Sequence, residues 1–444
     1  MLKKNARIVI GGLGVLLIIG AGAFLLGGRR VVSGTNDAIG SEVSALSSSS
    51  SSSVSASSSA AAGASVLAAT DDPPQQPLAN PPAIIRAAYL TSWSAGVPER
   101  VNNIIRLARE GTINAVVIDI KDASGYLAYR VSDPTLAAYG TTQVRIPRIN
   151  ALIKELHDAG IYVIGRITAF QDPVLARARP ALAIHSSVKA HATSSLDFND
   201  PKTVWTDDRN LAWIDPASQG AWAYLAAIGK DAAARGFDEV NYDYVRFPSN
   251  GDLASMVFPS WNGREEKHLV IRDFFKYLRQ QLPHETISVD LFGFVTVRTD
   301  DLGIGQKIED ALPYVDYVCP MAYPSLYDPG FLGYKNPALY PYEVVKYSME
   351  GGLARLAALA NGTTTPADGY TASSSIKTPV VNDALLAALA PYAKLRPWLQ
   401  AFDLHAVYTG AMVDQEIQAT KDALGGAFSG YMLWDPTNNY SMLP

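Results

Sequence analysis

Phe237-Asp-Glu-Val-Asn-Tyr-Asp-Tyr-Val-Arg-Phe-Pro248 carries the pattern from which the fold follows. It follows residues 221–236, a run of good helix formers ending in Gly236, a residue suited to a helix C-terminus. The stretch itself is β-branched and aromatic and stops at a proline, which predicts a strand directly after a helix. Side chains alternate along a strand, so Asn241, Asp243 and Val245 share one face, and Tyr242, Tyr244 and Arg246 the other. A carboxylate at the end of an apolar strand is costly to bury without a partner. Asp243 is therefore either tied down by a nearby charge such as Arg246, or it does chemistry.

The same unit recurs on both sides. Upstream, strands are predicted at residues 87–93, 114–120 and 161–167, alternating with helices at 97–111 and 149–160. The runs at 114–120 and 161–167 are almost continuously apolar, as expected of strands buried on both faces. Downstream, strands at 286–294, 315–323, 395–402 and 430–434 alternate with helices at 265–282, 304–312, 342–360, 382–390 and 413–424. Regular β–α alternation implies parallel strands joined by right-handed crossovers. Eight such units over residues 83–444 fit an α/β fold of the (β/α)8 TIM barrel type, with insertions at 168–215 and 361–380. No Gly-x-Gly-x-x-Gly follows the first strand, so a dinucleotide fold has no support.

The first 82 residues read differently. Residues 8–27 are uncharged and long enough to cross a bilayer as a helix, with Lys3, Lys4 and Arg7 before them and Arg29 and Arg30 after. The run is longer than the apolar core of a cleaved signal peptide, so residues 1–30 read as an uncleaved signal-anchor. The basic excess ahead of it favours a cytoplasmic N-terminus and an extracytoplasmic body. Residues 31–82 are rich in Ser, Ala and Pro and cannot bury enough apolar surface to offset chain entropy, so a flexible linker is expected. A single-pass membrane protein with a tethered barrel follows, with the membrane as one partner.

Composition narrows the chemistry. The 444 residues carry a formal charge of −5, which gives no support to a nucleic-acid partner. The single cysteine, Cys319, excludes an internal disulfide and a cysteine zinc cluster. The six histidines form no pair at metal-ligand spacing, and no metal or other cofactor is called for, although a carboxylate-only cation site stays open.

In such barrels the chemistry sits at the C-terminal ends of the strands. Those ends here carry Trp93; Asp119 and Lys121; Arg166; Asp243 and Arg246; Asp290; Tyr323; Gln400; and Trp434 with Asp435. Glycoside hydrolysis needs two carboxyl groups facing each other across a sugar, and Asp243 and Asp290 fall on adjacent predicted strands. Rings such as Trp93, Tyr323 and Trp434 suit stacking on sugars, and equally suit core packing. Asp119 and Lys121 could form a buried ion pair or contact substrate.

Val117-Ile-Asp-Ile-Lys-Asp122, Asn241-Tyr-Asp-Tyr-Val-Arg-Phe-Pro248 and Pro320-Met-Ala-Tyr-Pro324 together resemble a bacterial domain-of-unknown-function family of glycoside hydrolase type. That family is similar in turn to α-amylase-like barrel glycosidases, and the likeness spans most of residues 85–440. The resemblance implies a nucleophilic or basic Asp after the fourth strand, which is Asp243 here. Its relatives place a Glu after the fifth strand, where this chain has the shorter Asp290 as proton donor. The reading is a glycosidase acting on an extracytoplasmic polysaccharide or cell-envelope glycan, with Asp119, Lys121, Arg166, Arg246, Gln400, Asp435 and the rings contacting carbohydrate. A non-catalytic carbohydrate-binding barrel and a carboxylate-metal hydrolase are the alternatives.

Overall fold

In the computed structural model, residues 71–192, 196–363 and 378–443 are described. The expected membrane anchor at residues 8–27 and most of the expected linker lie outside them, as does most of the insertion at 361–380. No helix of the described residues is long and apolar enough to cross a membrane.

Eight parallel staves close into a barrel: β1 (Ile85–Leu90), β2 (Ala115–Lys121), β3 (Tyr162–Thr168), β4 (Glu239–Asp243), β5 (Ile287–Phe292), β6 (Tyr317–Met321), β7 (Trp398–Gln400) and β8 (Gly430–Trp434). Closure comes from β8 pairing with β1, Ile85 opposite Gly430, and from β7 bridging β8 and β6 through Trp398. At Gly430 the backbone has φ 120°, and a Cβ there would lie 1.8 Å from the Ile85 carbonyl oxygen, so only glycine lets the two strands meet. The seventh stave is broken. Lys394–Leu395 pairs with β6 before the chain passes Arg396 and Pro397, and a proline has no N–H to give the ladder.

Between the staves run α1 (Pro98–Arg109), α2 (Ile149–Asp158), α3 (Gln219–Arg235), α4 (Lys267–Gln281), α5 (Ile308–Ala311), α6 (Pro341–Ala360) and α7 (Gly410–Leu424). Local chemistry sets their ends. Pro98 opens α1, Ser218 caps α3 by accepting from the Ala221 amide, and Gly236 closes α3 at φ 99°. The Arg148 side chain gives α2 no cap; Asp71 accepts from the Asn150 and Ala151 amides instead. The Gln75 amide bonds the Arg235 carbonyl and the Leu78 amide bonds Asp238, so the packed body reaches back to Asp71, ahead of the boundary at residue 83 expected from composition.

Alternation divides the core. One apolar set fills the layer between staves and helices, and a second, including Ala87, Tyr89, Val117, Ile164, Met432 and Trp434, fills the barrel interior. Two charges sit in that interior near the N-terminal ends of the staves. Glu239 and Arg396 form an ion pair, both side chains fully buried, with the Tyr162 hydroxyl also on Glu239 and the guanidinium 4.0 Å above the Tyr317 ring. At the opposite end, the insertion after β3 meets the loop after β4. His185–Ser186 pairs with Met256–Val257, and Asp215 accepts from the Ser260 and Trp261 amides.

Candidate active site

The register brings the polar strand ends to one level. Asp119 is opposite Arg166, Arg166 opposite Asn241, and Asn241 opposite Ser288, with Asp243 and Asp290 two residues further along β4 and β5. Because side chains alternate, all of these point into the barrel mouth together.

Arg166 is the centre of the cluster. Its Nη1 donates to Asp119 Oδ1 at 2.5 Å and its Nη2 donates to Asp243 Oδ2. Its Nε faces Asp290 Oδ2 at 3.5 Å without making a hydrogen bond. Asp119 Oδ2 also accepts from the Tyr89 hydroxyl at 2.5 Å. Tyr89 stacks on Trp434 with ring centres 3.9 Å apart, and the guanidinium lies 5.1 Å above Trp434. Three carboxyl groups thus surround one planar cation that can serve several oxygens at once.

The two central carboxyl groups differ in surroundings. Asp243 accepts from Arg166 and, through Oδ1, from the Tyr244 amide at 2.5 Å. Tyr244 has φ 54°, left-handed backbone that a bulky residue rarely adopts, so the strand ends abruptly at Asp243. Asp290 Oδ1 accepts from Asn241 Nδ2 at 2.9 Å, while its Oδ2 has no hydrogen-bond partner among the described residues. Burial, and after it the charge of Asp243, push the Asp290 carboxyl up to about 8. Asp119 is also raised, by burial, against the pull of Arg166. The pair is well covered: Asp243 is 5% exposed and Asp290 1%.

The remaining strand-end residues divide. Tyr323 is buried edge-on to Phe402, and its phenol is raised by burial and then by the charges of Asp290 and Asp243, which places it beside the pair. Trp93 is 52% exposed on the rim, with the Arg145 guanidinium 4.7 Å above its ring. Lys121 is not paired with Asp119. A register shift between them in β2 turns Lys121 away, onto Asp172 at 3.0 Å with both side chains buried. Gln400 spends its amide on Ser325 and the Phe402 carbonyl, and Asp435 on the Thr437 and Asn439 amides. These three hold the scaffold. Arg246 is not the cation on Asp243 either; it lies among the rings of Trp213, Tyr244 and Phe292.

Asn241, Tyr89 and Trp213 join the site without having been singled out. Asn241 shares Asp243's face of β4, and Tyr89 the inward face of β1, so alternation was the available signal. Trp213 comes from the insertion, where no periodicity points to it. Among the described residues no group of three or more His, Cys, Asp or Glu side chains is arranged to hold a metal ion. Arg166 supplies the positive charge between the three aspartates.

A closed parallel barrel with its carboxyl groups gathered at the C-terminal strand ends belongs to the class that carries barrel enzymes. The chain matches, over residues 87–375 and 360–440, the domain-of-unknown-function family described as "Putative glycosyl hydrolase domain", and it belongs to that family. No curated protein matches it. Among solved structures it is similar to a hypothetical protein from Ruminiclostridium thermocellum, at 36% identity over 49% of this chain and 98% of that one, TM-score 0.40. It is also similar to the α-galactosidase of Thermus thermophilus, at 12% identity over 84% of this chain and 60% of that one, TM-score 0.38. The glycoside hydrolase domain of PelA from Pseudomonas aeruginosa matches at 11% identity over 80% and 96%, TM-score 0.37.

Proposed function

We propose that the protein is a glycoside hydrolase in which Asp290 donates a proton and Asp243 acts as nucleophile or base on an extracytoplasmic polysaccharide or cell-envelope glycan. The observation that carries this reading is the asymmetry of the two carboxyl groups. Asp243 is hydrogen-bonded by Arg166 and a backbone amide, whereas Asp290 is a buried acid whose Oδ2 faces Arg166 Nε at 3.5 Å and accepts no hydrogen bond among the described residues. An acid raised by burial beside a carboxyl group held by a cation is what acid-assisted glycoside cleavage requires.

In the reaction, the Asp290 proton passes to the glycosidic oxygen as its bond to the anomeric carbon breaks. Asp243 attacks that carbon, or takes the proton of a water that does. Arg166 keeps Asp243 oriented and moderates the charge shared by the three aspartates. Tyr323 and Trp434 are the rings nearest the aspartates, and Trp93 offers an exposed ring at the rim for an outer sugar. The uncharged run at residues 8–27 and the Ser-rich stretch after it support tethering of this body to a membrane on its outer side.

The small exposure of both aspartates favours one competing reading, a barrel that binds glycan at the rim and does not turn it over. Reducing-end release from a panel of bacterial envelope polysaccharides, by the detergent-solubilised full chain, separates the two. Hydrolysis gives new reducing ends that depend on Asp243. Retention of glycan with no release over long incubation selects the binding barrel.

A further inference from the structure

Arg246 sits at the mouth beside the aspartate pair, yet no carboxylate of the described residues lies within ion-pair distance of it. It is 7% exposed. Three rings enclose its guanidinium, Trp213 at 4.8 Å, Phe292 at 5.1 Å and Tyr244 at 5.3 Å, and Phe292 ends the strand that carries Asp290. Among the described residues only Nη1 has partners, the Phe247 carbonyl at 3.1 Å and the Ser249 hydroxyl at 3.3 Å. Nε and Nη2 have no hydrogen-bond partner among the described residues, and neither is a polar atom sealed from solvent. Those two N–H groups form one edge of the guanidinium, the fork that accepts a carboxylate through two parallel hydrogen bonds. A buried cation is costly unless an anion meets it. The nearest acidic side chains are committed elsewhere, Asp243 to Arg166 and Asp207 to Gln171 and Trp213.

We infer that Arg246 is a specificity-determining residue that receives the carboxylate of an acidic sugar, so that the glycan acted on contains uronic acid or a comparable carboxylated unit. The inference rests on the hydrolase reading for the reaction, but not for the binding. The enclosing rings hold the fork in one plane and present an apolar wall to the sugar's C–H face.

The test uses the full chain carrying Asp243→Asn, which binds without turnover, on an array of carboxylated glycans and their neutral, carboxyl-reduced counterparts. Carboxylated members should be retained in preference. Adding Arg246→Gln should weaken them about tenfold or more while leaving neutral members unchanged. Arg246→Lys keeps the charge but not the fork and should recover only part of the loss. Thermal melting of each variant excludes unfolding as the cause. Retention of neutral glycans alone, of none, or equal weakening of both classes by Arg246→Gln overturns the assignment. Carboxylate-dependent binding without any hydrolysis by the parent chain would leave this inference standing and remove the hydrolase reading.

Discussion

Asp290 and Asp243 lie on neighbouring staves and share one guanidinium, that of Arg166, which bonds Asp243 through Nη2 and faces Asp290 through Nε at 3.5 Å. The arrangement leaves the proton of the pair on Asp290, and pH should reveal it. Asp290 titrates at about 8 in the folded chain, so proton donation should fail as pH rises through that value. The rate should therefore decline on the alkaline side near pH 8, and this limb should be missing from the residual activity of Asp290→Asn, read from kcat against pH.

The same proton has a stability consequence. The carboxyl's ordinary value is 3.8 and its folded value about 8, so between them the folded chain holds a proton the unfolded chain has lost. Asp290's contribution is then fully present below its unfolded value and is lost as pH rises through its folded one. Calorimetry should show the melting temperature of Asp290→Asn falling less steeply than the parent's between about pH 5 and about pH 9.

Asp243→Asn keeps shape and removes the charge that does chemistry. Turnover should fall by about a thousandfold or more. Arg166 retains Asp119 and the neighbouring Asp290, so melting temperature should change little.

Removing the cation is different. Arg166→Gln leaves Asp119 and Asp243 buried without their counter-charge, a change that costs about 3–5 kcal/mol in buried ion pairs. Denaturant unfolding should show a loss of that size, well beyond the loss in Asp243→Asn.

Most of this barrel was legible because eight apolar or β-branched runs alternate with helix-forming ones, and the period alone places Asp243 and Asp290 on adjacent staves. Partners were less legible than positions. Arg246 lies three residues from Asp243 and reads as its partner, but the left-handed turn at Tyr244 redirects the chain, and the true partner is Arg166, 77 residues away across the β3–β4 ladder. Asp119 and Lys121 should share a face by alternation, and the register shift in β2 separates them. Gln400 and Asp435 look like strand-end ligands until the loops that consume their hydrogen bonds are seen. The Glu239–Arg396 pair had no sequence signal at all, since its members sit 157 residues apart at the starts of separate staves.

That interior pair makes its own prediction. Glu239→Gln should strand the Arg396 charge in the barrel and cost about 3–5 kcal/mol, whereas replacing both residues with apolar ones of similar volume should recover most of the loss. Comparing denaturant midpoints of the single and double variants checks it, and catalysis should be unaffected in whatever folds.

The division of labour between the two aspartates is tested most directly by leaving-group dependence. A proton donor matters when the departing oxygen is a poor leaving group and hardly matters when it is an activated phenol. Using the full chain and a glycan unit that it cleaves, turnover should be compared on the natural linkage and on the matching dinitrophenyl glycoside. Asp290→Asn should lose the natural linkage and largely keep the activated one, and Asp243→Asn should lose both. Equal losses on the two substrates in Asp290→Asn, or unimpaired turnover in Asp243→Asn, would contradict the account.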